Sequence, residues 1–557
     1  MERDADLIFK GRVISTAAPT NAVFPYWGRT HATRFSLISM LKGTVATNEP
    51  VFWHITHGPD GWGGGSMPSW HEFEKGQCYL VFAARLDKPE YLYTVPADAT
   101  NRPNEFRQLY RDGVMRTVDS RAVSLLGVKD VHWLELNLLL NDANPTNQLY
   151  AVGLLDRMSL GGGEDDRAWT RSDDFKREAV LKAVQPLINN RNDLVAASAI
   201  GCFHVCGSCV MLFPDFSGWM PVSQGCPQVD PKSIAGVSPY ADDLVAAANS
   251  SSSSLCRVAA IAALSCMRFS AVSNSLPRWL ADPAAQVRAQ AVLLLPDFPG
   301  EFCERSLRAK AADAAPVVRA AVADAIGNGK IEALLPALGA LFSTSPVRTN
   351  SGPWPHKGLQ GDGYFAEVGA DDIHTSAGYA LLKFDVEQVG AILKANLSDL
   401  GFGLSFIRKL AQNGAEPYLP LLAKELKIHT AGSEQEAAKS GFHWSLSYWL
   451  RGNYGWAWET LFGYLSAQTR EALADPKMAP MLDALQIADD PGDARTRSLY
   501  GFFLDKEMIE RAIELRRGII RRTEDKAIDK KSFNFPSLLK AFDEMDEKHS
   551  LKPGLGL

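Results

Sequence analysis

A chain of 557 residues exceeds what one hydrophobic core supports, unless the architecture grows by repetition. Its 46% hydrophobic and 22% charged residues are ordinary for a globular protein, and a net charge of −6 offers nothing to a polyanion, so nucleic acid is not expected as a partner. No apolar run reaches the roughly 18 residues that a membrane-spanning helix needs.

Taken in order, the first elements are short and strand-like. Leu7–Ile14, Ala32–Met40, Val51–Ile55 and Cys78–Ala84 alternate or run apolar at strand length, and Tyr91–Val95 is a shorter fifth. Turn-forming residues separate them at Lys42–Thr44, Gly58–Gly65 and Lys75–Gly76. Asn104–Tyr110 reads as a helical stretch. Five short strands and a helix suit a five-stranded Greek-key barrel of OB type over residues 1–115. His54 and His57 lie three apart on a strand and so face opposite sides, which argues against a shared metal ion. Gly63–Gly65 is followed by neither a Lys-Ser/Thr pair nor a helix, so it is a hairpin tip and no phosphate loop.

Three stretches of this region, Ala5–Val13 (ADLIFKGRV), Phe35–Gly43 (FSLISMLKG) and Phe73–Ala83 (FEKGQCYLVFA), resemble the netrin-like modules related to tissue inhibitors of metalloproteinases. The resemblance covers about a fifth of the chain and implies an OB-type barrel. In the animal inhibitors an N-terminal cysteine places its amine and carbonyl on the protease zinc. This region holds Cys78 alone, so the resemblance implies the fold without that mechanism unless a cysteine-bearing segment precedes Met1. Met1–Asp6 leads directly into a strand. With a leader upstream the chain is expected to be extracytoplasmic, periplasmic or secreted, as in an exported bacterial protein; without one it is expected to be cytoplasmic.

From about residue 120 the pattern turns helical. Residues 120–201 hold first helical repeats, with apolar helical spacing at Gln148–Met158, Asp174–Ile188 and Asp193–Gly201. The strongest repeat lies at 241–343, where Ser251–Ala281, Asp282–Ala312 and Asp313–Ser343 align as gap-free blocks of 31 residues. Position 7 is Arg257, Arg288 and Arg319, and position 6 is Cys256, Val287 and Val318. Position 14 is Leu264, Leu295 and Ile326, and position 26 is Leu276, Leu307 and Leu338. Residues 282–291 (DPAAQVRAQA) and 313–322 (DAAPVVRAAV) resemble HEAT repeats, and the short period is nearer the HEAT-like units of phycobilisome lyases. The expected fold is therefore α+β and multidomain, a barrel followed by an all-α HEAT-like solenoid. The aspartate opening a block is expected to cap its helix, and the arginines are expected to tie the structure together through carbonyls or an aspartate. Degenerate repeats and a C-terminal cap fill 371–557. There Lys506–Lys531 interleaves basic and acidic residues as a solvated helix face does, and Trp444, Tyr448, Trp456 and Trp458 are read as core in preference to a carbohydrate platform.

Two insertions break the helical register, and irregular segments on a regular scaffold are where function concentrates. The first, 202–240, carries Cys202, Cys206, Cys209 and Cys226. Two disulfides, partly paired thiols, a zinc or iron–sulfur site and a redox dithiol at Cys206/Cys209 all remain open, although the spacing fits no standard zinc pattern. The second, 344–370, is rich in Pro and Gly and offers Trp354, His356, Tyr364 and Phe365 as partner-binding candidates. His356, Asp362, Asp371, Asp372 and His374 are a weaker hydrolytic set. Cys256, Cys266 and Cys303 fall in repeat helices as small buried hydrophobes. The leading expectation is a non-enzymatic protein-binding or scaffold protein with a protein partner, no cofactor and no assigned oligomeric state. A metalloprotease inhibitor or protease-associated protein acting through the barrel is the alternative. A lyase or thiol oxidoreductase using the insertion cysteines is the second.

Overall fold

The structure is a computed structural model that describes residues 5–18, 29–56, 71–88, 98–109, 113–119, 128–159, 177–203, 235–265, 270–343, 370–396, 403–427, 455–487, 494–524 and 535–552. Its fold class is an N-terminal β-barrel followed by an all-α helical repeat region. The chain forms two compact units, one ending at Phe298 and the other starting at Pro299.

The barrel is built from β1 (Leu7–Ala17), β2 (Arg29–Lys42), β3 (Val51–Thr56), β4 (Cys78–Arg85) and β5 (Glu105–Gln108). They pair in the order β1-β2-β3-β5-β4, and β4 returns to β1, which closes the ring. All contacts are antiparallel except β3 with β5, which run parallel with Phe52 opposite Phe106. A short β6 (Val114–Thr117) shares the edge of β4 with β5. The interior is filled by Leu7, Phe9, Val13, Phe35, Phe52, Tyr79, Val81, Ala83 and Phe106, alternate residues of their strands. Gly43 follows β2 at φ +81°, where a Cβ would stand 2.4 Å from the Asp6 carbonyl oxygen, so this turn against the start of β1 requires glycine.

One element departs from the sequence reading. The expected helix at Asn104–Tyr110 is instead β5, the strand that completes the barrel. The cause is tertiary pairing. Phe106 enters the core, while Arg107 donates to the carbonyls of Gln108 and Lys88 and the Gln108 side chain accepts from the Ile55 backbone N–H. The expected strand Tyr91–Val95 lies outside the described residues, as does His57.

The outer face of the barrel is buried as well. Ile8 and Lys10 on β1, Leu80 and Phe82 on β4 and Met115 on β6 are no more than 1% exposed. The first helix, α1 (Val128–Leu140), shares this layer through Val131, His132, Glu135 and Leu136. The Lys10 ammonium donates to Glu135 Oε1 at 2.5 Å with both side chains enclosed, and the His132 ring stacks on Phe82 at 5.3 Å. Burial pushes the Glu135 carboxyl up, and the hydrogen bond and charge of Lys10 pull it back. β4 therefore reads as an uninterrupted apolar run because both of its faces are covered.

The first unit continues through α2 (Pro145–Ser159), α3 (Arg177–Val184), α4 (Asp193–Gly201), α5 (Ala241–Ser250), α6 (Ser254–Ala263), α7 (Ser270–Leu280) and α8 (Ala285–Leu294). Asn192 caps α4 by accepting from Leu194 and Val195 N–H groups. Eight of the ten residues of α6 are buried, four of them alanines that let neighbouring helices approach on several sides. The second unit comprises α9 (Glu301–Lys310), α10 (Pro316–Gly329), α11 (Leu335–Ser343), α12 (Ala370–Leu381), α13 (Val386–Ala395), α14 (Gly403–Leu410) and α15 (419–427). It ends with α16 (Gly455–Ser466), α17 (Arg470–Leu473), α18 (Ala479–Ile487), α19 (Ala494–Asp505), α20 (Ile509–Glu524) and α21 (Phe535–Lys548). Its C-terminal helices enclose a polar knot. Arg516 donates to Asp546 at 2.6 Å and pairs with Asp543, and the Tyr500 hydroxyl donates to Asp546 at 2.8 Å.

The Lys10–Glu135 pair predicts an asymmetric mutational response. Lys10→Met strands a buried carboxylate and is expected to cost about 3–5 kcal/mol, whereas the double change Lys10→Met with Glu135→Leu recovers most of that loss. Urea unfolding of the first unit, followed by pulse proteolysis, reads both. Equal losses in the single and double variants would contradict the assignment.

Candidate functional site

The best-defined polar arrangement is the turn that opens each 31-residue block. Position 1 accepts, through its side chain, from the backbone N–H of position 3. The pairs are Ser251 from Ser253 (3.2 Å), Asp282 from Ala284 (2.8 Å) and Asp313 from Ala315 (3.0 Å). The position 7 arginine, one turn into the following helix, donates Nη1 back to the carbonyls of positions 1 and 2. Arg257 reaches Ser251 and Ser252 at 2.8 and 3.2 Å, and Arg288 reaches Asp282 and Pro283 at 2.9 and 3.1 Å. Arg319 reaches Asp313 and Ala314 at 2.6 and 3.0 Å. Arg257 also forks onto Asp282 of the next block, Nε to Oδ2 and Nη2 to Oδ1 at 3.0 Å each. The expectation that the block-opening aspartate is the N-cap is corrected. The N-caps are Ala284 and Ala315, with no side-chain cap bond, and each aspartate closes the turn just before them.

Burial follows the same register. Positions 14 and 26 are 0% exposed in all three blocks, and position 6 no more than 3%. The guanidinium groups therefore hold backbone turns in place.

The titratable groups inside the barrel unit also serve packing. His54, 0% exposed, takes Thr33 Oγ1 at 2.8 Å on Nε2 and lies between Phe52, Phe73 and the cross-strand ring of His31. Burial, with smaller contributions from His71 and His31, pushes its pKa down to about 3. Burial alone brings His132 to about 4. Both rings are neutral at physiological pH. Among the described residues no group of three or more His, Cys, Asp or Glu is arranged to hold a metal ion.

Of the insertion cysteines, Cys202 is described. It is the C-cap of α4, 1% exposed, with its thiol directed at the carbonyls of Ser198 and Val152. Cys206, Cys209 and Cys226 lie outside the described residues, as do Cys266, Trp354, His356, Asp362, Tyr364 and Phe365. His374 is a core residue, stacked on Phe342 at 4.1 Å with Nδ1 2.8 Å from the Phe342 carbonyl oxygen. Trp458 is 4% exposed and donates to the Leu485 carbonyl, and Trp456 lies under the Arg408 guanidinium. Trp444 and Tyr448 lie outside the described residues.

Two features escaped the sequence reading, one buried and one partly exposed. The Lys10–Glu135 pair spans 125 positions and left no local trace. Asp324 did leave one, since it occupies position 12 of its block, where the other two blocks have Ala262 and Leu293.

No family model and no curated protein matches this chain. Among solved structures, an engineered protein is similar at 13% identity and a TM-score of 0.28, over 75% of this chain and 98% of its own. The condensin Cnd3–Cnd2 subcomplex of S. pombe is similar at 14% identity and a TM-score of 0.29, over 76% of this chain and 53% of its own. Neither score is high enough to identify a common fold.

The two neutral histidines make the first unit acid-sensitive, and the sign follows from the direction of their shifts. The unfolded chain binds a proton at each below pH 6.5, which the folded chain refuses until about 3 and 4. Stability from these groups is complete above pH 6.5 and declines as pH falls, by about 2 kcal/mol per histidine at pH 5. His132→Phe is expected to remove about half of the loss. Urea midpoints from pulse proteolysis at pH 7.5 and 5.0 measure it, and a pH-independent midpoint would contradict the burial described.

Proposed function

We propose that this protein is a non-enzymatic scaffold that binds another protein, its helical repeats serving as the frame and its two register-breaking insertions as the contact elements. The observation that carries this reading is the repeat turn. Its arginines, at the same position in all three blocks, bond backbone carbonyls, and Arg257 also bonds Asp282, which is how a frame is held and leaves recognition to the segments between regular helices. The 344–370 insertion supplies recognition chemistry in Trp354, His356, Tyr364 and Phe365, aromatic residues of the kind enriched at binding hot spots. The acidic balance, −6 overall, directs the choice toward protein and away from nucleic acid. No helix among the described residues is long and apolar enough to cross a membrane.

Affinity capture with the full chain as bait, with crosslinking and quantitative mass spectrometry of the source organism's extract, tests the reading. The wild type is expected to retain a stoichiometric protein partner, and the combined change Trp354→Ala, Tyr364→Ala, Phe365→Ala to lower its recovery at least about tenfold. Equal recovery by both baits would remove the insertion from the account, and no stoichiometric partner under crosslinking would remove the scaffold.

A further inference from the structure

Arg257 and Arg319 share one posture and differ in what they hold. Both turn Nη1 onto the carbonyls of positions 1 and 2 of their own block, which leaves the edge formed by Nε and Nη2 for another partner. In the first block that edge is filled. Asp282, which opens the second block, takes both N–H groups at 3.0 Å each, and the two side chains are 13% exposed. In the third block the same edge meets no carboxylate among the described residues. Asp313 of its own turn is bonded instead to the Ala315 N–H and to Lys310. The cause lies in the register. α11 ends at Ser343, which is position 31, and position 1 of a fourth block is Thr344, a residue without a carboxylate. No Asp or Glu follows in the chain until Asp362.

We propose that Arg319 is a recognition site for a carboxylate, which a protein partner supplies as an Asp or Glu side chain in the place that Asp282 occupies on Arg257. The ligand class follows from the geometry. Two carbonyl bonds fix the guanidinium plane before any ligand arrives, and the remaining pair of parallel N–H groups matches the two oxygens of one carboxylate. Arg319 is half-buried in the first turn of α10, where such a pair is stronger than in open water. Charge selects the kind of partner. The stretch that follows the third block, 344–361, carries Arg348 and Lys357 and no acid, which favours an acidic segment. The fork also suits phosphate, but a net charge of −6 disfavours nucleic acid. In taking its ligand from a protein, this assignment rests on the scaffold reading above.

Fluorescence anisotropy of the full chain at low ionic strength tests this, with a labelled glutamate-rich Gly/Ser peptide and its glutamine counterpart. The wild type is expected to bind the first and not the second. Arg319→Gln, which removes the fork, and Arg319→Lys, which keeps the charge, are each expected to weaken binding at least about tenfold. Thr344→Asp leaves Arg319 and its turn intact and offers the fork a carboxylate from within the chain, so it is expected to weaken binding comparably. Hydrogen exchange across 316–343 verifies folding in each variant. Equal binding of the two peptides, or wild-type affinity in Arg319→Gln or Thr344→Asp, would overturn the site. Tighter binding of a labelled oligothymidylate than of the glutamate peptide would assign the fork to phosphate and overturn it too. Because the peptide stands in for the partner, failure here with partner capture intact sinks the fork and leaves the scaffold standing.

Discussion

Each helical block begins with two backbone carbonyls that have no helix to join, and one guanidinium a turn later satisfies both. That contact is the constraint on which the repeat depends. It fixes the angle at which chain enters the helix, and so aims positions 6 and 14 inward together. Arg257 adds a fork onto Asp282 of the next block, and the same aspartate closes its own turn through the Ala284 N–H. Asp282 thus couples the first block to the second.

The barrel is tied to its first helix by a different device. Lys10 and Glu135 lie in an apolar layer of Ile8, Leu80, Phe82 and Leu136, where an ion pair contributes little net stability but tolerates no substitute register. Two histidines packed as neutral rings belong to the same unit. Polar groups placed this way specify one arrangement and make it sensitive to protons.

Much of this was legible in the sequence, for reasons that particular residues make clear. The strands of the barrel announced themselves because its interior residues alternate, and the repeat because Arg257, Arg288 and Arg319 recur at equal spacing. Misreading 104–110 as a helix came from the shortness of β5, whose only inward apolar anchor is Phe106; parallel pairing with β3 decided it, and pairing has no local signal. The helix starts at the position-1 aspartates were placed two residues early, because a turn-closing Asp two residues before an alanine N-cap and a capping Asp look alike in sequence. Nothing near Lys10 in the chain foretold Glu135, which lies 125 positions away. Of the site, the insertion residues are visible in the sequence as breaks in register, and Asp324 as an acid at an apolar position.

The claim that the repeat is held by its position 7 arginine is tested most directly by a double-mutant cycle on Arg257 and Asp282, with Arg257→Met, Asp282→Ala and the pair together. Unfolding free energies of the first unit are expected to give a coupling of about 1–3 kcal/mol, because the fork is partly buried and charge-assisted. A coupling indistinguishable from zero, with each single change costing no more than an exposed substitution, would contradict the account.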